Sequence, residues 1–280
     1  MAVHGGPISP YYANIQQTGL VLWLDAAQES SYPRSGTTWT DLSGEGNNGT
    51  LVNGPTFSNN NSTVGIRNDG AIIYDGSNDY VTIPDSSDFA MGITPFAMEQ
   101  WVKFDAIGDI SNDTWWATLQ WNGGETLRSG IFVFYKSNSP AGDFEWRTEC
   151  NWAGHTAGKG FYPSIITLID ASNPTNDIIT DEKWHLLTAS RQSEAVFKRY
   201  VDGVLVGTDT TADGATCPRG TTYETTWPDM NQILYVGGYS AQYTDGHKGP
   251  IGPVRVYKGT ALSDKKVLEH YNIERSRFGV

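Results

Sequence analysis

The sequence predicts an all-β protein: two antiparallel sheets packed face to face, with one short helix at the C-terminal end. Three observations predict it. A dozen runs of strand length, either wholly apolar or alternating, follow one another at short spacing, as in a sandwich. Glycine is frequent, 31 of 280 residues, and charged residues make up 18%, against roughly 25% in an average soluble domain. Helical period appears only in the last segment, and many strands before one late helix do not make a βαβ fold.

The elements follow in chain order. Residues 1–18 read as an arm, mixing Gly5, Gly6, Pro7 and Pro10 with Tyr11, Tyr12 and Ile15 and showing no period. The arm is either a frayed end or a tether, and its deletion is expected to leave the sandwich folded. Leu20–Leu24 is continuously apolar, as in a strand covered on both faces. Ser30 to Gly49 is rich in turn residues. Ala71–Asp75 and Tyr80–Pro84 flank Gly-Ser-Asn-Asp and read as a hairpin with a four-residue loop. Pro95–Phe104, Trp115–Trp121, Gly130–Lys136 and Phe144–Cys150 are further strands. Trp115 and Trp121 should share a face of theirs, with Trp116 on the other. Lys183–Arg191 and Val196–Gly203 alternate, and within the latter Asp202-Gly203 supplies a tight turn into Val204–Gly207. Trp101 and Trp184 are expected to fill the gap between the sheets. Ile233–Tyr239 and Ile251–Tyr257 complete the strands. Ser263 then caps a helix with Leu262, Val267, Leu268 and Tyr271 on one face. The organisation is one sandwich domain, 19–262, between the arm and a helix with tail, 263–280.

Charge excludes several functions. Nineteen basic residues against 31 acidic give −12, so nucleic acid and anionic membrane surfaces are not expected partners. No apolar stretch approaches the roughly 18 residues of a membrane helix. The first residues, MAVHGGPISPYYANIQQTG, lack a basic and an apolar region, so a soluble chain without a signal peptide is expected. Cys150 and Cys217 make neither a disulfide scaffold nor a zinc spacing; they read as two thiols, with their pairing left open.

Four segments, taken together, resemble a known family. They are GLVLWLDA with the following WTDLSGEGNNGTL (Gly19–Ala27, Trp39–Leu51), YDGSNDYV (Tyr74–Val81), KWH with RYVDGVLVG (Lys183–His185, Arg199–Gly207), and YVGGY with GPIGPVRVYKGTALS (Tyr235–Tyr239, Gly249–Ser263). In this order they resemble the laminin-G-like / concanavalin A-like lectin and glucanase superfamily. The MAV-x-GGP start, Trp39-x-Asp41-x-Ser43-Gly44 and the final Ser276-Arg277-Phe278-Gly279 look like a subgroup common among tailed-phage virion proteins. The resemblance implies a jelly-roll sandwich and a virion setting. Many relatives bind calcium, and Asp75, Ser77, Asn78 and Asp79 offer hard oxygen ligands. The carboxylate that relatives add before the last long strand is missing, however, since Ile251-Gly252-Pro253-Val254 stands there.

Catalysis is not expected. The E-x-D-x-x-E strand of the retaining glucanases is absent. Glu145 and Glu149 are about 13 Å apart at roughly 3.3 Å per residue, whereas hydrolytic pairs need about 5–9.5 Å. There is no G-x-S-x-G or H-E-x-x-H, and His155, His185 and His247 are scattered singly. Binding is better supported. Aromatic rings stack on sugar faces while amides bond the hydroxyls, and the candidates are Trp116, Trp121, Asn122, Trp152, Tyr239 and Tyr243. For any single one of these rings, a core or subunit interface is favoured over an exposed sugar platform. Assembly candidates are Tyr11, Tyr12, Arg275, Arg277 and Phe278, the basic tail seeking an acidic neighbour.

The expected function is a non-enzymatic phage virion surface protein, a capsid decoration or small tail or baseplate adhesin. Its termini would hold it to other virion proteins, as a homo-oligomer exposed on the particle and able to bind host-surface glycans. The alternative is a free-standing carbohydrate-binding lectin-like module; a glycoside hydrolase ranks last. No cofactor is required, and calcium is the candidate ligand at Asp75 and Asp79.

Overall fold

The computed structural model describes residues 12, 14–58, 70–105, 107, 111, 114–122, 128–138, 141–151, 166–169, 177–179, 182–193, 196–210, 231–238 and 246–280. In chain order the early strands are β1 (Leu20–Leu24), β2 (Thr38–Trp39), β3 (Gly49–Val52), β4 (Thr56–Ser58), β5 (Ala71–Asp75) and β6 (Tyr80–Ile83). The central ones are β7 (Phe96–Lys103), β8 (Thr114–Asn122), β9 (Arg128–Asn138), β10 (Ala141–Asn151) and β11 (Ile166–Ile169). Then come β12 (Trp184–Ser193), β13 (Val196–Val201), β14 (Val204–Thr210), β15 (Leu234–Val236), β16 (Lys248–Lys258) and helix α1 (Asp264–Phe278). The strand pairs are antiparallel.

The first sheet runs β14-β13-β12-β7-β16-β5-β4, with β1 also on β16. β16 is long enough for both partners: Lys248–Ile251 face β5 and Val254–Tyr257 face β1. The second sheet runs β11-β10-β9-β8-β15-β6-β3-β2. This is the expected two-sheet sandwich with its late helix. The Ser263 side chain accepts the Lys266 N–H, and Gly279 closes α1 in the left-handed region. Asp202 and Gly203, both at positive φ, make the tight β13–β14 turn. Strands β2, β3, β4 and β11 were not anticipated; at two to four residues they are too short to display a period.

The hairpin expected across residues 76–79 does not form. β5 belongs to the first sheet and β6 to the second, so the segment crosses the rim of the sandwich. Its N–H groups find partners off the ladder. Asp79 accepts from the Asp75 N–H, Asp75 from the Ser77 N–H, and the His247 carbonyl from Gly76. Ile72 and Tyr74 on one side, with Val81 and Ile83 on the other, then meet in the core.

The tryptophans exchange places relative to expectation. Trp101 and Trp184 do not lie between the sheets. They sit on the outer face of the first sheet, against Phe278 of α1, with ring centroids 4.2 and 4.7 Å away. The inter-sheet core is filled by Trp39, Trp116, Trp121 and Trp146 among aliphatic and phenylalanine side chains. Trp116 and Trp121 face inward together because β8 carries a bulge: its register against β9 shifts between Ala117 and Leu119. The extra residue reverses the alternation. The Thr118 carbonyl, turned out of the ladder, accepts from the Gln100 amide and the Gly237 N–H, both at 3.1 Å. Gly237 is obligatory there, since a Cβ would lie 2.0 Å from the Tyr74 ring.

A third layer covers the first sheet from outside. Helix α1 and described residues of the arm close over Leu20, Trp23, Ala97, Tyr200 and Tyr257. Beneath them lies a buried charge network. Glu274 pairs with Arg255 and accepts the Trp101 indole N–H at 2.7 Å. His270 Nδ1 lies 2.8 Å from Glu99, and its Nε2 accepts the Gln16 N–H at 3.0 Å. That second bond leaves the ring proton on Nδ1, donated to Glu99. Burial opposes charge on Glu99, but His270 and then Arg255 outweigh it and hold the carboxyl below its usual range. Arg277 forks onto Asp25 at 2.8 and 3.0 Å and donates to the Tyr12 hydroxyl at 3.1 Å.

Candidate functional site

Both sheets have an outer face, and the two differ. That of the first sheet is roofed by α1 and residues of the arm. That of the second sheet is built by residues alternating with the core positions of β3, β6, β15, β8, β9 and β10. One cross-strand row reads Thr50, Thr82, Tyr235, Gln120 and Gly130 in direct register. Thr50 is exposed, Thr82 and Tyr235 are half-buried, and Gln120 is fully buried. Tyr80, one alternation away on β6, brings its ring to 5.6 Å from that of Tyr235, with the planes 57° apart. Further along, Ala117 and Val133 form a small buried apolar pair, and Tyr135 stands opposite Glu145. Among the described residues, the β3–β6–β15 side reaches solvent through Thr50, Thr82, Tyr80 and Tyr235, as β9 does through the half-buried Tyr135. This combination offers apolar ring faces beside hydrogen-bonding groups and no nucleophile–base pair.

The residues expected from sequence distribute differently. Trp116 is 2% exposed and stacked on Phe144, and Trp121 is 1% exposed with an edge contact to Phe89. Neither ring is open to a sugar, which corrects the expectation for both. Asn122 ends β8 opposite Arg128, and its side chain lies outside the described residues. So do Trp152, Tyr239, Tyr243 and Tyr11. The described backbone sets Asn122 and Asn151, the residue before Trp152, on either side of Arg128. Tyr12, Arg277 and Phe278 are spent inside the chain, so the acidic neighbour of Arg277 is its own Asp25. Arg275 is exposed, its guanidinium 5.7 Å over the Tyr271 ring.

The calcium donors fit poorly. Asp75 and Asp79 each accept an N–H that shapes their turn. Burial and then the charge of Asp75 raise the pKa of Asp79. Among the described residues there is no group of three or more His, Cys, Asp or Glu able to hold a metal, while calcium takes about six to eight oxygens. Glu145 is 9% exposed, and β10 shifts register between Arg147 and Glu149, whose side chain is not described. His247 is buried beside Tyr74 and Phe104. The backbone of Pro250 and Lys103 lies near enough to favour the charged ring, yet neither nitrogen has a partner in hydrogen-bond geometry. Burial dominates and holds its pKa down at about 3.

Tyr80 and Tyr235 were not singled out from sequence. The signal was present in the alternation of Tyr80-Val81-Thr82-Ile83 and Leu234-Tyr235-Val236, which places each tyrosine opposite to the apolar face.

A family model described as the concanavalin A-like lectin/glucanases superfamily matches residues 75–268. No curated protein matches the chain. Among solved structures, the binding domain of Paraclostridial Mosquitocidal Protein 1 superposes with a TM-score of 0.60 at 15% identity, over 91% of this chain and 52% of that one. Domain 4 of AbnA, a GH43 extracellular arabinanase from Geobacillus stearothermophilus solved in complex with arabinotriose, gives 0.57 at 13% identity, over 91% and 98%. Trypanosoma rangeli sialidase in complex with sialic acid gives 0.53 at 14% identity, over 94% and 34%. The chain thus spans about half of the toxin domain, a third of the sialidase, and nearly all of the arabinanase domain. At these identities the likeness is one of fold.

Proposed function

The chain belongs to the concanavalin A-like lectin/glucanases superfamily, and from that premise we propose that it is a non-catalytic carbohydrate-binding module. It receives an oligosaccharide on the outer face of its second sheet, at Tyr80 and Tyr235. The observation that carries this reading is that aromatic pair, set on β6 and β15 with Thr82 directly opposite Tyr235 and Thr50 one strand further on. Ring faces supply apolar contact to a sugar and the hydroxyls fix its orientation. The near end-to-end likeness to an arabinanase domain solved with arabinotriose supports a glycan ligand. Calcium has no part in the reading, because the Asp75 and Asp79 oxygens already hold their turn. Carriage on a virus particle finds no support: the relatives above are toxin and glycosidase domains, and Tyr12, Arg277 and Phe278 are buried within the chain.

A glycan array followed by calorimetry tests the proposal. Tyr235→Ala should weaken binding of an array hit roughly tenfold, and Tyr235→Phe should retain most of it. The glycan should be recovered uncleaved. Equal affinity in both variants, or release of shortened products, would remove the reading.

A further inference from the structure

We infer that the arm is held on α1 by a proton-sensitive clasp: the Gln16 N–H closes on the neutral ring of His270, and protonation of that ring opens the clasp and lifts residues 14–18 off the first sheet. His270 is fully buried, with Nδ1 2.8 Å from Glu99 Oε2 and Nε2 3.0 Å from the Gln16 nitrogen. A backbone N–H can only donate, so Nε2 must accept. It can do so only while the ring carries a single proton, on Nδ1. An imidazolium has a donor on both nitrogens, and its Nε2–H would face the Gln16 N–H with no acceptor between them. The closed arm thus excludes a proton that the open arm lets in, so acid favours the open form.

Little else ties this stretch down. Among the described residues, its other polar contacts are local: the Ile15 N–H to the Tyr12 carbonyl, the Leu20 N–H to the Gln17 carbonyl, and the Gln16 and Gln17 amides to the Thr18 and Ile15 carbonyls. Asn14, Gln17 and Thr18 are exposed, and of residues 14–18 only Ile15 is buried. The ends are anchored separately, Tyr12 on Trp23 and Arg277, and the Gly19 carbonyl on the Lys258 N–H. The stretch therefore opens as a loop between two fixed points. The titratable groups packed with the ring are Glu99 of β7, Arg255 and Tyr257 of β16, Tyr200 of β13, Tyr12 of the arm and Glu274 of α1. Burial pushes all three tyrosines up, so their hydroxyls stay un-ionised. Burial opposes the charge of Arg255, but Glu274 and then Tyr257 outweigh it and keep the guanidinium charged. The remaining charges of the layer are matched in the Arg277–Asp25 and Lys198–Asp264 pairs. Imidazole is the side chain that gains a proton as pH falls from about 8 to 5, and the Glu99 carboxylate beside Nδ1 is placed to neutralise the cation that forms.

The test follows hydrogen exchange of the Gln16 amide in the whole chain by nuclear magnetic resonance, as a protection factor referred to the intrinsic rate at each pH. The nitrogen shifts of the His270 ring report its protonation in the same samples. Between about pH 8 and 5, Gln16 protection is expected to fall about tenfold, in step with ring protonation, while the Val256 amide of β16 keeps its own. His247 stays neutral over this range, because burial holds its pKa down at about 3. In His270→Gln the carboxamide oxygen can accept the Gln16 N–H and its NH2 can donate to Glu99, but it takes up no proton, so protection should no longer depend on pH. His4, His155 and His185 remain in that variant, so a pH effect that persisted there would belong to them and overturn the clasp. A ring that protonates while Gln16 protection is unchanged would overturn it as well, and so would a ring that stays neutral down to about pH 5. Should His270→Gln fail to fold, ring shifts against Gln16 exchange in the unaltered protein decide alone.

Discussion

Asp41 shows how much one carboxylate can organise. It accepts from the N–H groups of Trp23, Ser43, Gly46 and Asn47 and from the Ser43 hydroxyl, at 2.6 to 3.1 Å. The WTDLSG motif is thus a loop staple that ties residues 43–47 to β1. Asp41→Ala leaves these donors unmatched and should cost on the order of 3 kcal/mol, read as a lowered melting temperature. His247 sets a pH dependence. Its folded pKa of about 3 lies far below its ordinary 6.5, so the unfolded chain takes up the proton first as pH falls. The contribution is intact above pH 6.5 and drains away between 6.5 and about 3. His247→Phe should flatten that part of the urea-midpoint profile at no cost at pH 7, because neither ring nitrogen makes a hydrogen bond. At this scale the sequence was legible in kind but not in direction. Trp101 and Trp116 both read as strand residues with large rings. A two-residue period says which residues share a face, not which face is covered, and the Thr118 bulge is invisible to it.

Among elements, the arm and α1 act as one clamp on the first sheet. Tyr12 packs on Trp23 and meets Arg277, and the Gln16 N–H holds His270. Deleting residues 1–18 should therefore destabilise the sandwich, contrary to what the arm's lack of period suggests, and a thermal melt reads the loss. Arg277→Ala leaves Asp25 buried without its partner and should cost about 3–5 kcal/mol. Combining Arg277→Met with Asp25→Asn should restore part of that, since both charges then leave the interior together. The start of the helix was legible because Ser263 is a capping residue, but its end was not, since Arg275, Arg277 and Phe278 read as a tail and lie in α1. The fate of the β5–β6 connection was not, because Gly-Ser-Asn-Asp serves equally as a hairpin loop or as a crossing between sheets.

For the whole molecule, the sandwich and its third layer share buried ion pairs and ring contacts, so they should unfold together. Far-ultraviolet circular dichroism and tryptophan fluorescence are expected to report one coincident transition; a separate early loss of the α1 signal would contradict this. The two-sheet architecture was legible from strand spacing and glycine content. The proposed ligand face was not, because it depends on which sheet α1 and the arm roof over, a property of packing and not of any one segment. The most direct test of the account is a crystal structure of the protein soaked with an oligosaccharide chosen from the array. The account predicts sugar rings stacked on Tyr80 and Tyr235 with hydroxyls bonded to Thr50 or Thr82. A glycan seated elsewhere, for example in the groove between Asn14 and Asn272, with the two tyrosines untouched, would contradict it.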